Sequence, residues 1–181
     1  MSSYFLVVDV EATCCNDGSI PKQEMEIIEI GAVMLNRSTW EIDSEYQQFI
    51  KPVRHPKLTS FCTELTSITQ KNLEPAPTFP EVIPHFKKWI ESHPHNIFCS
   101  WGNYDKNQFI LDCTFHNLPY PFGTEHRNIK KEFSSSSGNK QKKFGVMQAL
   151  QYLGLEFQGT HHRGIDDARN IAAIFKYMNQ Y

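Results

Sequence analysis

Residues 4–13 read YFLVVDVEAT. Positions 4–10 form a short apolar run rich in β-branched residues, the pattern of a buried strand. The run closes on two acids, Asp9 and Glu11. Side chains at i and i+2 of a strand point the same way, so both carboxylates face one side of the sheet this strand joins. Two like charges on one face raise each other's pKa unless a cation intervenes. The pair is therefore either a metal site or two solvated acids at a strand end, and its spacing alone does not separate the two.

Outward from this strand, residues 12–25 carry the breakers Asn16, Asp17, Gly18 and Pro21 and read as a loop. Residues 26–36 read as a second strand and 45–51 (EYQQFIK) as a third, ended by Pro52 and Pro56. Turns at 36–38 and 41–44 make the three a meander. Helical patterns then take over. Residues 64–73 are a short candidate. Residues 78–92 carry Phe79, Val82, Ile83, Phe86, Trp89 and Ile90 at near-helical spacing behind the cap Thr78, with Pro84 weakening the early turns. Residues 96–101 read as a strand, 105–116 as a helix, 126–129 as a short edge strand and 144–153 as a helix stopped by Gly154. A last helix runs from Asp166 to Met178. The run Ser134–Asn139 reads as an exposed loop. Together these predict an α/β chain with a central mixed sheet, a three-strand meander followed by parallel strands, flanked by helices in a single domain over residues 1–181.

Composition narrows the class. The chain has 181 residues, 40% hydrophobic and 21% charged, which excludes wholesale disorder. Eighteen basic against twenty acidic residues give a net charge of −2, so a polyanion would need a local basic patch. No apolar stretch approaches the roughly 20 residues of a membrane span. Five cysteines, two of them adjacent, speak against a disulfide framework and for a reducing, cytoplasmic setting.

Further acids join the first pair. Asp105 follows the strand at 96–101 and opens a helix whose face continues through Phe109, Asp112 and Cys113. In the segment HHRGIDDARNIAAIFKYM, 161–178, the apolar stripe is Ile171, Ile174, Phe175 and Met178. Asp167 lies four residues before Ile171 and shares its buried face, whereas Asp166 falls about 100° away and caps or points outward. A carboxylate aimed at a core needs a partner, and Asp9 and Glu11 can serve only with a cation between them. His162 precedes Asp167 by five residues, on a loop that Gly164 lets turn. His161 and Asp166 have the same spacing.

Asp9-x-Glu11, Asp105 and His162-x4-Asp167 resemble the DEDDh family of 3′–5′ exonucleases on the ribonuclease H-like fold. The stretches VVDVEATC (7–14), EIIEIGAV (26–33), FCTELTSITQ (61–70), TFP (78–80) and HRGIDDARNIA (162–172) are similar to its enhanced-RNAi and histone-mRNA exoribonuclease branch. The resemblance implies release of nucleoside 5′-monophosphates from single-stranded 3′ ends, RNA in preference to DNA. It implies two divalent ions, Mg²⁺ or Mn²⁺, about 4 Å apart, with Asp9, Glu11 and Asp167 on one and Asp9 and Asp105 serving the other. His162 would act as general base beside Glu11. No organic cofactor and no membrane partner are expected. A DNA exonuclease of the proofreading type, and a non-catalytic nucleic-acid-binding module, are the alternatives.

By the same resemblance, the segment Phe61–Thr69 walls the terminal base, with Leu65 and Ile68 as apolar contacts and Tyr104 as a stacking residue, although Leu65 and Ile68 also fit plain helix packing. Ala12 and Thr13 would offer backbone amides near the scissile phosphate. Between 126 and 143, Arg127, Lys130, Lys131, Lys140, Lys142 and Lys143 stand against Glu132 alone. That run reads equally as a track for phosphates and as a solvated surface.

Overall fold

The computed structural model describes residues 3–138 and 143–180. Five strands form one sheet in the order β3-β2-β1-β4-β5. The central strand β1 (Tyr4–Ala12) is antiparallel to β2 (Ile27–Asn36), which pairs antiparallel with β3 (Ile42–Phe49). On its other side β1 runs parallel to β4 (Asn96–Ser100), and β4 parallel to β5 (His126–Asn128). This is the meander followed by parallel strands that the sequence predicts.

The near-continuous apolar runs of β1 and β2 arise because both sheet faces are covered by helices. On one face Leu6, Val8, Val10, Ile30 and Met34 pack under α3 (Phe79–Glu91) and α4 (Tyr104–Phe115) through Val82, Phe86 and Phe109. On the other, Phe5, Val7, Val33 and Leu35 meet α5 (Ile129–Ser136), α6 (Val146–Leu153) and α7 (Gly164–Gln180) through Phe133, Leu150, Ile171 and Phe175. Thr78 caps α3, with Glu81 reaching back to its backbone amide at 2.7 Å. Gly154 ends α6 at φ 68°.

Several boundaries differ from expectation for local reasons. The helix expected over 64–73 is two short helices, α1 (Ser60–Thr66) and α2 (Gln70–Leu73), because Ser67 turns left-handed at φ 60° between them. The third strand runs three residues earlier than read and ends at Phe49. Ser134–Ser136, at the start of the run expected as an exposed loop over Ser134–Asn139, instead complete α5. Ile129 and Phe133, one helical turn apart, anchor that helix in the core, and the Ser134 and Ser135 hydroxyls bond the carbonyls four residues back. Asn139, Lys140 and Lys142 lie outside the described residues. Among the described residues no helix is long and apolar enough to cross a membrane.

Candidate active site

The site begins with register. Asp9 stands opposite Gly31 of β2 and Glu11 opposite Glu29, so all four share the face that α7 covers. Gly31 is the residue that lets α7 approach. A Cβ there would fall 1.9 Å from the Gly164 carbonyl carbon and 2.1 Å from the Ile165 nitrogen. The first turn of α7 therefore lies directly on the sheet, and its Asp167 comes down beside Asp9 and Glu11. One ligand oxygen from each of these three carboxylates lies within 4.8 Å of the others. Asp166 faces the other way, accepting the Thr160 amide at 2.9 Å and pairing with Arg169 at 3.0 Å.

Asp105 enters from α4. The pairing of β1 with β4 ends at Val7 and Cys99, so the Val10 amide has no strand partner on that side. The Asp105 carboxylate accepts it at 3.0 Å. Asp105 is thus fixed at the crevice where β1 and β4 part, the usual ligand position in an α/β sheet. It stands outside the three-carboxylate group, on the same cleft.

These acids strain against one another. Burial, then repulsion from Asp105, Glu11 and Asp167, holds the Asp9 carboxyl well above its ordinary range. Burial, Asp167 and Glu29 push Glu11 to about 9. Asp105 rises to about 7 through burial, held back by the Val10 hydrogen bond. Asp167 rises to about 6 through burial, offset by His161 and by the backbone amides of His162 and Arg163. Buried carboxylates in this state are relieved by a divalent cation. An all-oxygen donor set suits a hard ion such as Mg²⁺, Mn²⁺ or Ca²⁺ rather than zinc, so the residues present fit the metal that the sequence implies.

Both histidines reach the cleft. His162 sits at φ 62°, and its backbone amide donates to Asp167 Oδ2 at 2.7 Å. His161 Nε2 lies 3.7 Å from Asp167 Oδ1, and the two imidazoles are 3.9 Å apart between ring centres. Burial, then the neighbouring His161, lowers the His162 pKa.

The loop that carries them is latched by residues the sequence reading did not single out. Glu29, fully buried, accepts from Arg163 Nε at 3.0 Å and Nη2 at 3.2 Å, from the Gly164 amide at 3.1 Å and from Gln47 at 2.9 Å. The Arg163 guanidinium also lies over the Phe49 ring. The available signal was a charge inside the apolar run IIEIGAV. Glu26, likewise buried, accepts the backbone amides of Val53, Arg54 and His55 and so pins the segment that leads to α1.

The cleft measures about 440 Å³, and beside the carboxylates and histidines its lining includes Ala12, Leu65, Trp101, Tyr104, Val146 and Met147. Leu65 and Tyr104 stand exposed there. Two expected contacts are elsewhere. Ile68 is fully buried with Ile28, Cys62 and Leu73, because the left-handed turn at Ser67 directs it inward, so it packs the core rather than a base. The Thr13 amide already donates to the Glu26 carbonyl at 2.8 Å and is not free for a phosphate. Trp101, Val146 and Met147 join the cleft without having been read as part of it, and His161, the alternative that the spacing left open, lines it too.

The model of the exonuclease family, RNase_T, matches residues 6–175. The chain belongs to the exonuclease family. It is 34% identical over 187 residues to human 3′–5′ exoribonuclease 1, covering 98% of this chain and 52% of that protein. It is 35% identical over 183 residues to human ERI1 exoribonuclease 3, covering 97% and 53%. This exonuclease-family chain therefore spans about half the length of the curated relatives it matches. Among solved structures, the nuclease domain of 3′hExo, described as a DEDDh family member bound to rAMP, superposes with a TM-score of 0.90 at 32% identity, covering 99% of this chain and 92% of that one. Cell-death related nuclease 4 shares the fold, with a TM-score of 0.85 at 22% identity over 97% of this chain and 63% of the other.

Proposed function

We propose that this exonuclease-family chain hydrolyses the terminal phosphodiester at single-stranded RNA 3′ ends, releasing nucleoside 5′-monophosphates with two divalent ions, Mg²⁺ or Mn²⁺. The observation that carries the reading is the trio Asp9, Glu11 and Asp167, gathered from a strand end and a helix start into one cleft. Asp9, Glu11 and Asp167 would hold one ion, and Asp9 with Asp105 the other. Bound there, such ions stabilise the attacking and leaving oxygens of an in-line displacement and lower the pKa of water.

The chain's own residues do the rest. Leu65 and Tyr104 offer apolar surface on which the terminal base rests, and Ala12 lines the same cleft. His162 accepts the proton of the attacking water on a ring nitrogen. Its lowered pKa keeps the imidazole neutral near pH 7, as a base requires. The family spacing from His162 to Asp167 supports the choice of His162 over His161. Preference for RNA is supported by relatives named exoribonucleases and by a related nuclease domain bound to rAMP. The odd number of cysteines, two of them adjacent, supports a reducing compartment such as the cytoplasm.

The test is digestion of matched RNA and DNA oligonucleotides, labelled at the 3′ end, with Mg²⁺, with Mn²⁺ and with chelator. The reading expects labelled mononucleotide from RNA only when metal is present. Faster release from DNA would move the substrate to DNA, and no release from either would remove the enzymatic reading.

A further inference from the structure

A second depression, about 580 Å³, opens beside the cleft between α5 and the loop at 101–103, with Asn103, Asn128, Lys130, Lys131, Ser135 and Lys143 on its walls. Among the described residues no carboxylate lines it. The basic run is thereby divided. Arg127 is committed to structure, bonded to Glu132 at Nε with a distance of 3.0 Å and stacked over Phe5 and Phe175. Lys130, Lys131 and Lys143 make no ion pair among the described residues. Three uncompensated positive charges in one acid-free groove contrast with a net charge of −2 for the whole chain.

Chain connectivity ties the groove to the cleft at two points. Asn103 on its wall is followed directly by Tyr104 and Asp105, which line the cleft. Lys143, also on its wall, leads within a few residues to Val146 and Met147, which line the cleft. The Asn128 side chain donates to Asn103 Oδ1 at 3.0 Å, joining the start of α5 to the cleft loop. The Lys130 stem lies over Gly102, whose absent Cβ would come 3.8 Å from Lys130 Cδ.

We propose that this groove binds the phosphodiester backbone of the nucleotides 5′ of the scissile bond, so that a strand whose 3′ end occupies the cleft runs out over Lys130, Lys131 and Lys143. The proposal rests on the nuclease reading of the cleft. It adds a substrate-length dependence that the carboxylate site cannot supply, since sequence-independent grip on a single strand comes from backbone charge.

The test compares wild type with K130E/K131E/K143E on two substrates, single-stranded RNA of about 12 nucleotides and the p-nitrophenyl ester of thymidine 5′-monophosphate, which has no upstream strand. The expected result is a KM for the long RNA raised at least about tenfold, with the slope of log affinity against log salt reduced by roughly 2, as loss of three phosphate contacts requires. Hydrolysis of the nucleotide ester stays unchanged. Equal loss on both substrates, or no change on the long RNA, would overturn the groove. Fluorescence anisotropy of the same RNA in chelator separates the two readings. Weaker binding by the triple variant supports the groove even if wild type cleaves nothing, a result that would sink only the nuclease reading. Unchanged binding overturns the groove.

Discussion

Replacing Gly31 by alanine puts one methyl group where α7 meets the sheet. The new Cβ would lie 1.9 Å from the Gly164 carbonyl carbon, 2.1 Å from the Ile165 nitrogen and 2.3 Å from the Gly164 oxygen. All three are backbone atoms, so no side chain can swing aside. Carbon atoms in contact sit no closer than about 3.5 Å, and the start of α7 must therefore retreat by about 1.5 Å. Asp167 moves with it. A carboxylate oxygen binds a hard divalent ion at about 2.0–2.6 Å, so on the proposed reading this shift would take Asp167 out of reach of an ion held by Asp9 and Glu11. Misplacement of this size costs about 100-fold in rate, and overpacking costs about 1–3 kcal/mol in stability. The assays are nucleoside monophosphate release from single-stranded RNA in Mn²⁺ and a thermal melt. The expected result is activity down at least about 100-fold with Tm lowered by roughly 2–12 °C. Gly123, where an added Cβ meets nothing within 4 Å, is the control, and Gly123→Ala should match wild type. A Gly31→Ala protein with native activity and native Tm would refute the argument that close backbone approach builds the site.

Three further outcomes follow from the same geometry. Burial, with repulsion from neighbouring acids, pushes the native Glu11, Asp105 and Asp167 carboxyls up to about 9, 7 and 6, against near 4 when unfolded. The metal-free native state therefore holds more protons than the unfolded chain between about pH 4 and pH 9, and its stability falls as pH rises through that window. Calorimetry with chelator should show Tm dropping from about pH 5 to about pH 8, and saturating Mn²⁺ should remove the drop; a metal-free Tm that climbs over this range would be the contrary result. Arg163→Ala leaves Glu29 buried without its cation and should cost about 3–5 kcal/mol, read in a denaturant melt. The double variant E29Q/R163A should recover much of that loss, and a single variant as stable as wild type would show the latch to be inert. His162→Ala should lower kcat by about 10²–10⁴, with His161→Ala milder; the opposite order would move the base to His161.

Much of the site was legible because it follows two periodicities. Alternation along β1 puts Asp9 and Glu11 on one face, and the helical stripe through Ile171 and Phe175 puts Asp167 against the sheet while turning Asp166 away, where it bonds Thr160 and Arg169. What escaped depends on contacts distant in sequence. The Thr13 amide is occupied by Glu26 across a loop, and Ile68 is turned inward by a single left-handed residue. The run Ser134–Asn139 reads as an exposed loop, yet Ser134–Ser136 complete α5, where the Ser134 and Ser135 hydroxyls are satisfied inside the helix while Ile129 and Phe133 anchor it. The histidine pair stays the hardest to read. Adjacent residues at a tight turn both reach the cleft, and no periodicity distinguishes them.

Asp167, and not its neighbour, is the residue proposed to complete a metal-holding carboxylate group with Asp9 and Glu11. The most direct test is Mn²⁺-dependent release of nucleoside 5′-monophosphate from single-stranded RNA by Asp167→Asn and Asp166→Asn side by side. Asp167→Asn should lose more than about 100-fold, beyond the range seen when only outer groups around a metal are removed, while Asp166→Asn stays close to wild type. Full activity in Asp167→Asn, or equal loss in both, would contradict it.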